Sequence, residues 1–91
     1  MSKSFRMRNQ VENQWVPLAE IFIPDSTREK IMRRDAEQVE KYRLQYEAGS
    51  PVVRVVLRPR FGGGYNVEDG RHRVIAAKLA RVGFIEAKVV G

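Results

Sequence analysis

The chain has 91 residues, enough for one domain with a single hydrophobic core but not for a second folded domain. Its 17 Lys and Arg residues against 11 Asp and Glu residues give a net charge of +6, which favours an anionic ligand or partner: a nucleotide, a nucleic acid or an acidic protein. The absence of cysteine excludes disulfides and thiol catalysis, and a single histidine argues against a histidine metal site. With no apolar run near the ~18 residues of a membrane span and no signal-peptide core, we expect a cytoplasmic protein without a membrane partner.

The first predicted elements follow a polar stretch. Residues 1 to 14 are rich in Lys, Arg, Asn and Gln and have few apolar anchors, so we predict a flexible basic arm there and a folded domain over residues 15 to 91. Residues 18 to 23 alternate between two faces and end at Pro24, which predicts a short strand. The two faces of this strand hold Leu18 with Phe22, and Ile21 with Ile23.

Helical segments are predicted between this strand and Gly49. Ser26 and Glu29 have the spacing of a capping box, which predicts that a helical turn begins there. A second box over residues 35 to 38 indicates that the helix either restarts or continues from that point. Gly49 should end it, because Pro51 prevents continuation. The helix face directed at the core is predicted to hold Ala36, Val39, Tyr42 and Tyr46.

A hairpin is predicted next. Residues 52 to 58 are rich in β-branched side chains, which favours a strand. Three glycines at residues 62 to 64 allow the chain to reverse into a second strand over residues 65 to 68. These glycines are not a phosphate-binding Walker loop, because no Gly-Lys-Ser/Thr follows them.

The turn after the hairpin contains the densest group of charged side chains in the sequence. Asp69 and Gly70 are followed by Arg71, His72 and Arg73, and helical spacing begins here. The first amides of a helix lack intrahelical partners, and glycine lets an anion approach the backbone, so we predict a phosphate-binding site. The alternative is a solvated basic turn with Asp69 as the N-cap, although basic residues have the unfavourable sign at a helix start.

A second main helix and a final strand complete the chain. The buried stripe of this helix is predicted to hold Ile75, Leu79 and Val82. Gly83 should end the helix, and residues 84 to 90 should form the last strand. The order strand, helix, strand, strand, helix, strand predicts an α+β fold: a compact single domain with a small mixed β-sheet and two main helices.

The segment from Asp69 to Ala80 resembles the second conserved box of the ParB/sulfiredoxin fold, whose members include the ParB-like nuclease domain. The box reads Gly-Glu-Arg-Arg-x-x-Ala-Ala in ParB proteins, Gly-Cys-His-Arg in sulfiredoxins and Asp-Gly-His-His-Arg in stand-alone relatives. The resemblance implies that residues 15 to 91 have this fold and bind the phosphates of a nucleoside triphosphate with Mg²⁺. The implied phosphate contacts are Gly70, His72 and Arg73, and a looser match to the opening box of the family adds Arg28. Arg71 is a further candidate, which either adds charge there or faces solvent.

Departures from the family limit the activity to expect. Arg71 replaces the cysteine of sulfiredoxins, so reductase chemistry is excluded. Arg71 also replaces the acidic residue associated with nucleotide turnover in ParB proteins, so hydrolysis is not supported. Three alternatives to simple nucleotide binding stay open: a DNA- or RNA-binding accessory protein, a protein–protein adaptor with a vestigial pocket, and a small phosphotransferase or nuclease acting at the same turn. Asp69 and His72 are the candidate catalytic residues of the last of these.

Overall fold

The computed structural model describes residues 13–91 and contains five strands and three α-helices within that range. The predicted arm over residues 1 to 14 lies outside the described residues except for Asn13 and Gln14, which are in the first strand. In chain order the elements are β1 (Asn13–Pro17), a 3-10 turn (Leu18–Glu20), β2 (Ile21–Phe22), α1 (Asp25–Arg34), α2 (Ala36–Glu47), β3 (Val55–Pro59), β4 (Tyr65–Asp69), α3 (Arg71–Leu79) and β5 (Phe84–Val89).

The five strands form one mixed sheet in the order β1-β5-β3-β4-β2. β1 with β5 and β3 with β4 are antiparallel pairs, whereas β2 with β4 and β3 with β5 are parallel. The predicted hairpin is β3 and β4, and the three glycines between them all have positive φ, as a tight reversal requires. The predicted α+β class with a small mixed sheet is therefore confirmed.

Helix α3 is packed on two sides, against the sheet and against the other helices. Val74 and Ala77 join the cluster on the sheet, which includes Val55, Leu57 and Ile85. Ile75 and Ala76 instead join a second cluster, formed with Ile31 of α1 and Val39 of α2. Four consecutive α3 residues are thus buried, and the predicted stripe is wrong at Leu79, whose exposed fraction is 50%.

The start of the domain differs from the prediction of one strand over residues 18 to 23. Leu18–Glu20 is a 3-10 turn, in which the Leu18 amide donates to the Gly83 carbonyl at 3.0 Å, and only Ile21–Phe22 is strand. β1 was not predicted because it is an edge strand with a single buried residue, Val16, and so has no apolar alternation to detect.

The helix boundaries correct two predicted caps. α1 begins at Asp25 after Pro24, and Ser26 does not cap it. Asp35 occupies the N-cap position of α2, so the helix restarts there, but its side chain makes no capping hydrogen bond. The predicted inner face of α2 is confirmed by buried Val39 and part-buried Tyr42 and Tyr46, whereas Ala36 is exposed.

The ends of α2 and α3 have the same form with different residues. After α2, Gly49 has φ +73°, and the Ser50 amide donates to the Gln45 carbonyl, so the predicted stop is confirmed. After α3, the left-handed residue is Arg81 at φ +62°, which corrects the predicted stop at Gly83. No helix in the part of the chain that the structure describes is long and apolar enough to cross a membrane.

Candidate functional site

The junction between β4 and α3 depends on Gly70. Gly70 has φ +108°, and a Cβ atom at this position would lie 2.7 Å from Cγ1 of Val55. Only glycine therefore allows the chain to turn here while β4 stays against β3. Gly70 is the N-cap of α3 and Asp69 is the last residue of β4, so the alternative in which Asp69 caps the helix is wrong.

The first turn of α3 has three backbone donors that have no partner in the described part of the chain. The first helical hydrogen bond runs from the Val74 amide to the Gly70 carbonyl at 2.9 Å. Within residues 13–91, the amides of Arg71, His72 and Arg73 donate to no backbone carbonyl, and no side chain caps them. These donors and the positive end of the helix dipole favour an anion at this point.

An open cleft of about 530 Å³ lies at this turn, between α3 and the other two helices. Its polar walls come from one face of α1 and from the turn itself, while Gln38 and Tyr42 of α2 contribute a third side. The full lining is Ser26, Thr27, Lys30, Ile31, Gln38, Tyr42, Asp69, Gly70, Arg71, His72 and Arg73. Four of the five predicted phosphate contacts are therefore brought together: Gly70, Arg71, His72 and Arg73.

Two cations of the cleft, Lys30 and Arg71, are exposed. In the described chain neither side chain donates a hydrogen bond to a protein acceptor. The hydroxyls of Ser26 and Thr27 lie on the same wall as Lys30 because these residues are three and four apart on α1. Lys30 was not among the phosphate contacts predicted from the sequence, although its spacing from a predicted helix start was the available signal.

Arg73 lines the cleft, but its guanidinium is largely engaged within the protein. Nη1 donates to the carbonyl oxygens of Val53 and Arg54, both at 2.8 Å, and Nη2 lies 3.5 Å from a carboxylate oxygen of Asp69. The side chain has an exposed fraction of 13%. Arg73 thus anchors the backbone that leads into β3. The prediction from the sequence, that Arg73 binds phosphate, did not include this structural role.

His72 is held by a partner from the α1–α2 junction. Its Nε2 lies 2.9 Å from Oδ2 of Asp35, and both side chains are part-exposed. An ionised carboxylate only accepts hydrogen bonds, so Nε2 is the protonated nitrogen of this pair. No local pattern in the sequence could predict this contact, because the two residues are 37 positions apart.

The structure does not bring Arg28 to this cleft. Its Nη2 donates to the Asp25 carboxylate at 2.9 Å, and the side chain lines a separate groove with Met32, Ile75 and Leu79. Arg28 lies on a different face of α1 from Thr27 and Lys30, which line the cleft. Lys30 occupies the place that the sequence assigned to Arg28.

The candidate catalytic residues Asp69 and His72 both line the cleft. The Asp69 side chain is largely exposed, at 73%, and its nearest cation is Arg73. Among residues 13–91, no group of three or more His, Asp or Glu side chains could hold a metal ion. A single carboxylate does suit Mg²⁺ when the phosphates of a nucleotide supply the other ligands.

Two solved structures are similar to this chain throughout most of its length. A sulfiredoxin from Arabidopsis thaliana matches with a TM-score of 0.64 and 21% identity, over 87% of this chain and 84% of that chain. The C-terminally truncated chromosome-partitioning protein ParB from Caulobacter crescentus, complexed with CTP-gamma-S, matches with a TM-score of 0.68 and 20% identity. The match covers 87% of this chain but 44% of the ParB chain. No family model and no curated protein matches the sequence.

Proposed function

Since the chain has the ParB/sulfiredoxin-like fold, we propose that it binds the phosphates of a nucleotide in the cleft at the start of α3. The observation that carries this proposal is a set of donors at one cleft that have no partner within residues 13–91: the amides of Arg71, His72 and Arg73, and the side chains of Lys30 and Arg71. Anionic oxygens are the groups that such donors bind best.

Each wall of the cleft has a proposed part in holding phosphate. The amides after Gly70 bind one phosphate group, and Arg71 and Lys30 approach it from opposite walls. Arg71 can bind two oxygens at once, whereas Lys30 acts as a point charge. Ser26 and Thr27 donate hydroxyl hydrogens on the α1 side. Arg73 keeps this geometry in place through its bonds to residues 53 and 54.

A nucleotide rather than a single phosphate is the proposed ligand. The ParB relative of the same fold is complexed with CTP-gamma-S, and a cleft of about 530 Å³ exceeds what one phosphate group fills. Tyr42 offers an aromatic surface on the α2 side of the cleft. If Mg²⁺ accompanies the nucleotide, Asp69 is the cleft carboxylate that can reach it, together with the phosphates.

Calorimetric titration with ATP, CTP, GTP and inorganic phosphate, each with and without Mg²⁺, tests the proposal. We expect saturable binding of at least one nucleotide, weakened in both Lys30→Ala and Arg71→Ala. Loss of one charge-assisted contact should lower affinity roughly 10- to 150-fold. Both side chains are exposed, so the variants should remain folded.

Lys88→Ala is the matched control, because it removes the same charge from β5, outside the lining of the cleft. It should bind as the parent protein does. Equal weakening in Lys88→Ala would indicate a general effect of net charge, as expected for the alternative of nucleic-acid binding. A folded protein that binds none of the four compounds would contradict the proposal.

A further inference from the structure

The contact between His72 and Asp35 determines which hydrogen of the imidazole is available to a ligand. Nε2 donates to Oδ2 of Asp35 at 2.9 Å, so in the neutral ring Nδ1 carries no hydrogen. Nδ1 makes no hydrogen bond to the described part of the chain, and the ring lines the cleft. In its neutral form, His72 therefore offers a bound ligand an acceptor and not a donor.

We propose that anion binding in this cleft takes up a proton from solvent onto Nδ1 of His72, with Asp35 as the residue that enforces this uptake. The inference rests on the proposed phosphate site. A fully ionised oxyanion can only accept hydrogen bonds, so it cannot pair with the bare Nδ1. After the proton is added, Nε2–H donates to Asp35 and Nδ1–H donates to the ligand, and the imidazolium lies between two anions.

The charges around His72 bear on why a bound anion favours protonation of its Nδ1. The ionisable groups that line the cleft around the ring are Lys30 from α1, Tyr42 from α2, Asp69 from β4, and Arg71 and Arg73 from α3, with Asp35 at the α1–α2 junction. A bound anion adds negative charge beside the ring and so favours the added proton. Among the types of ionisable side chain at the cleft, counting the histidine itself, imidazole is the one that ordinarily changes charge between about pH 5 and 8.

Sulfate is the suitable probe, because it stays fully ionised across this range and any proton uptake must belong to the protein. Sulfate affinity is measured across the pH range by the NMR shifts of the Arg71, His72 and Arg73 amides. Calorimetry in buffers of different ionisation enthalpy counts the protons taken up. We expect affinity to fall as pH rises, by up to about tenfold per pH unit where one proton is taken up.

Two variants separate this role of Asp35 from a merely structural one. His72→Gln keeps a donor without titration, so its sulfate affinity should not vary with pH. In Asp35→Asn the neutral ring can turn its hydrogen to Nδ1, because an amide can donate to Nε2. The variant should then lose proton uptake and keep its sulfate affinity at high pH, whereas structural damage would lower affinity at every pH. Asp35→Glu should restore the pH dependence.

The nitrogen shifts of the imidazole give a direct reading, and they are unambiguous because His72 is the chain's single histidine. The neutral ring should be protonated at Nε2 in the parent protein and not uniquely so in Asp35→Asn. Sulfate binding without pH dependence or proton uptake would overturn the inference and leave the phosphate site intact. Absence of any saturable sulfate effect on the three amides would overturn the inference, while the nucleotide titration described above tests the proposed function separately.

Discussion

Gly70 and Val55 are packed so closely that a methyl group on Gly70 would lie 2.7 Å from Cγ1 of the valine. Val55 is completely buried at the start of β3, next to β4, which ends at the residue before Gly70. Gly70 is also the N-cap of α3 and lines the cleft, so the packing of the core and the geometry of the proposed site depend on the same contact.

Gly70→Ala should therefore be strongly destabilising. The substitution combines a φ of +108°, which alanine adopts poorly, with overlap against a buried side chain. We expect a loss of the order of 2–4 kcal/mol in the free energy of unfolding, measured by urea denaturation. Gly83→Ala is the control, since an added methyl group at Gly83 would have no atom of the described chain within 4 Å and its φ is not positive. Similar stabilities of the two variants would contradict the packing argument.

Arg73→Ala should lower the stability of the fold and also weaken the binding of any ligand. It removes two hydrogen bonds from a guanidinium to the carbonyls of residues 53 and 54. A loss of about 1.5–3 kcal/mol in unfolding free energy is expected by urea denaturation. Arg71→Ala, which removes an exposed guanidinium two residues earlier, should change stability by less than about 0.5 kcal/mol. An Arg73→Ala protein with the same unfolding free energy as the parent would contradict the anchoring role.

Arg81→Gly should stabilise the protein. Arg81 is the one non-glycine residue with positive φ in residues 13–91, and it ends α3 in the left-handed conformation. Relief of this strain exceeds the added backbone entropy of glycine, so we expect a gain of the order of 0.5–1 kcal/mol in thermal or urea unfolding.

The equivalent position after α2 provides the reverse test of helix termination. Gly49 has φ +73°, and a methyl group added there would have no atom of residues 13–91 within 4 Å, so Gly49→Ala isolates the conformational cost. Its stability should decrease by about 1 kcal/mol. Changes of the same sign in Gly49→Ala and Arg81→Gly would show that the left-handed conformation does not control these helix ends.

Stability should fall at high pH through Tyr46. Burial raises the pKa of this phenol from 10.0 to about 12, with a smaller opposing effect from the charge of Arg73. The folded state thus retains the phenolic proton that the unfolded state releases. Tyr46 makes its full contribution to the free energy of unfolding below pH 10, and this contribution is lost as pH rises toward 12.

Urea midpoints of the parent and of Tyr46→Phe, compared near neutral pH and again at alkaline pH, measure this effect. The parent should lose more stability between pH 10 and 12 than the variant does, because phenylalanine has no proton to retain. Parallel curves for the two proteins would show that Tyr46 is not the group responsible.

Local patterns in the sequence were sufficient to predict much of the fold. The glycine-rich reversal, the strand-to-helix change at Gly70 and the spacing of Val39, Tyr42 and Tyr46 each depend on neighbours within a few residues. The motif from Asp69 to Ala80 identified the ParB/sulfiredoxin-like fold, which the structural similarities confirm. Gly70, Arg71, His72 and Arg73 reach one cleft because a single turn contains them all.

Contacts between distant segments were decided only by the tertiary structure. β1 is a strand because β5 pairs with it, not because of its own apolar pattern. Asp35 binds His72 instead of capping α2, since the packing of α2 on α3 brings an imidazole within reach of the carboxylate. Arg73 is drawn to carbonyls 19 and 20 residues away, and α1 turns Lys30 rather than Arg28 toward the cleft. Sequence periodicity records which face of an element is apolar, whereas the partner of a polar group depends on how the elements pack.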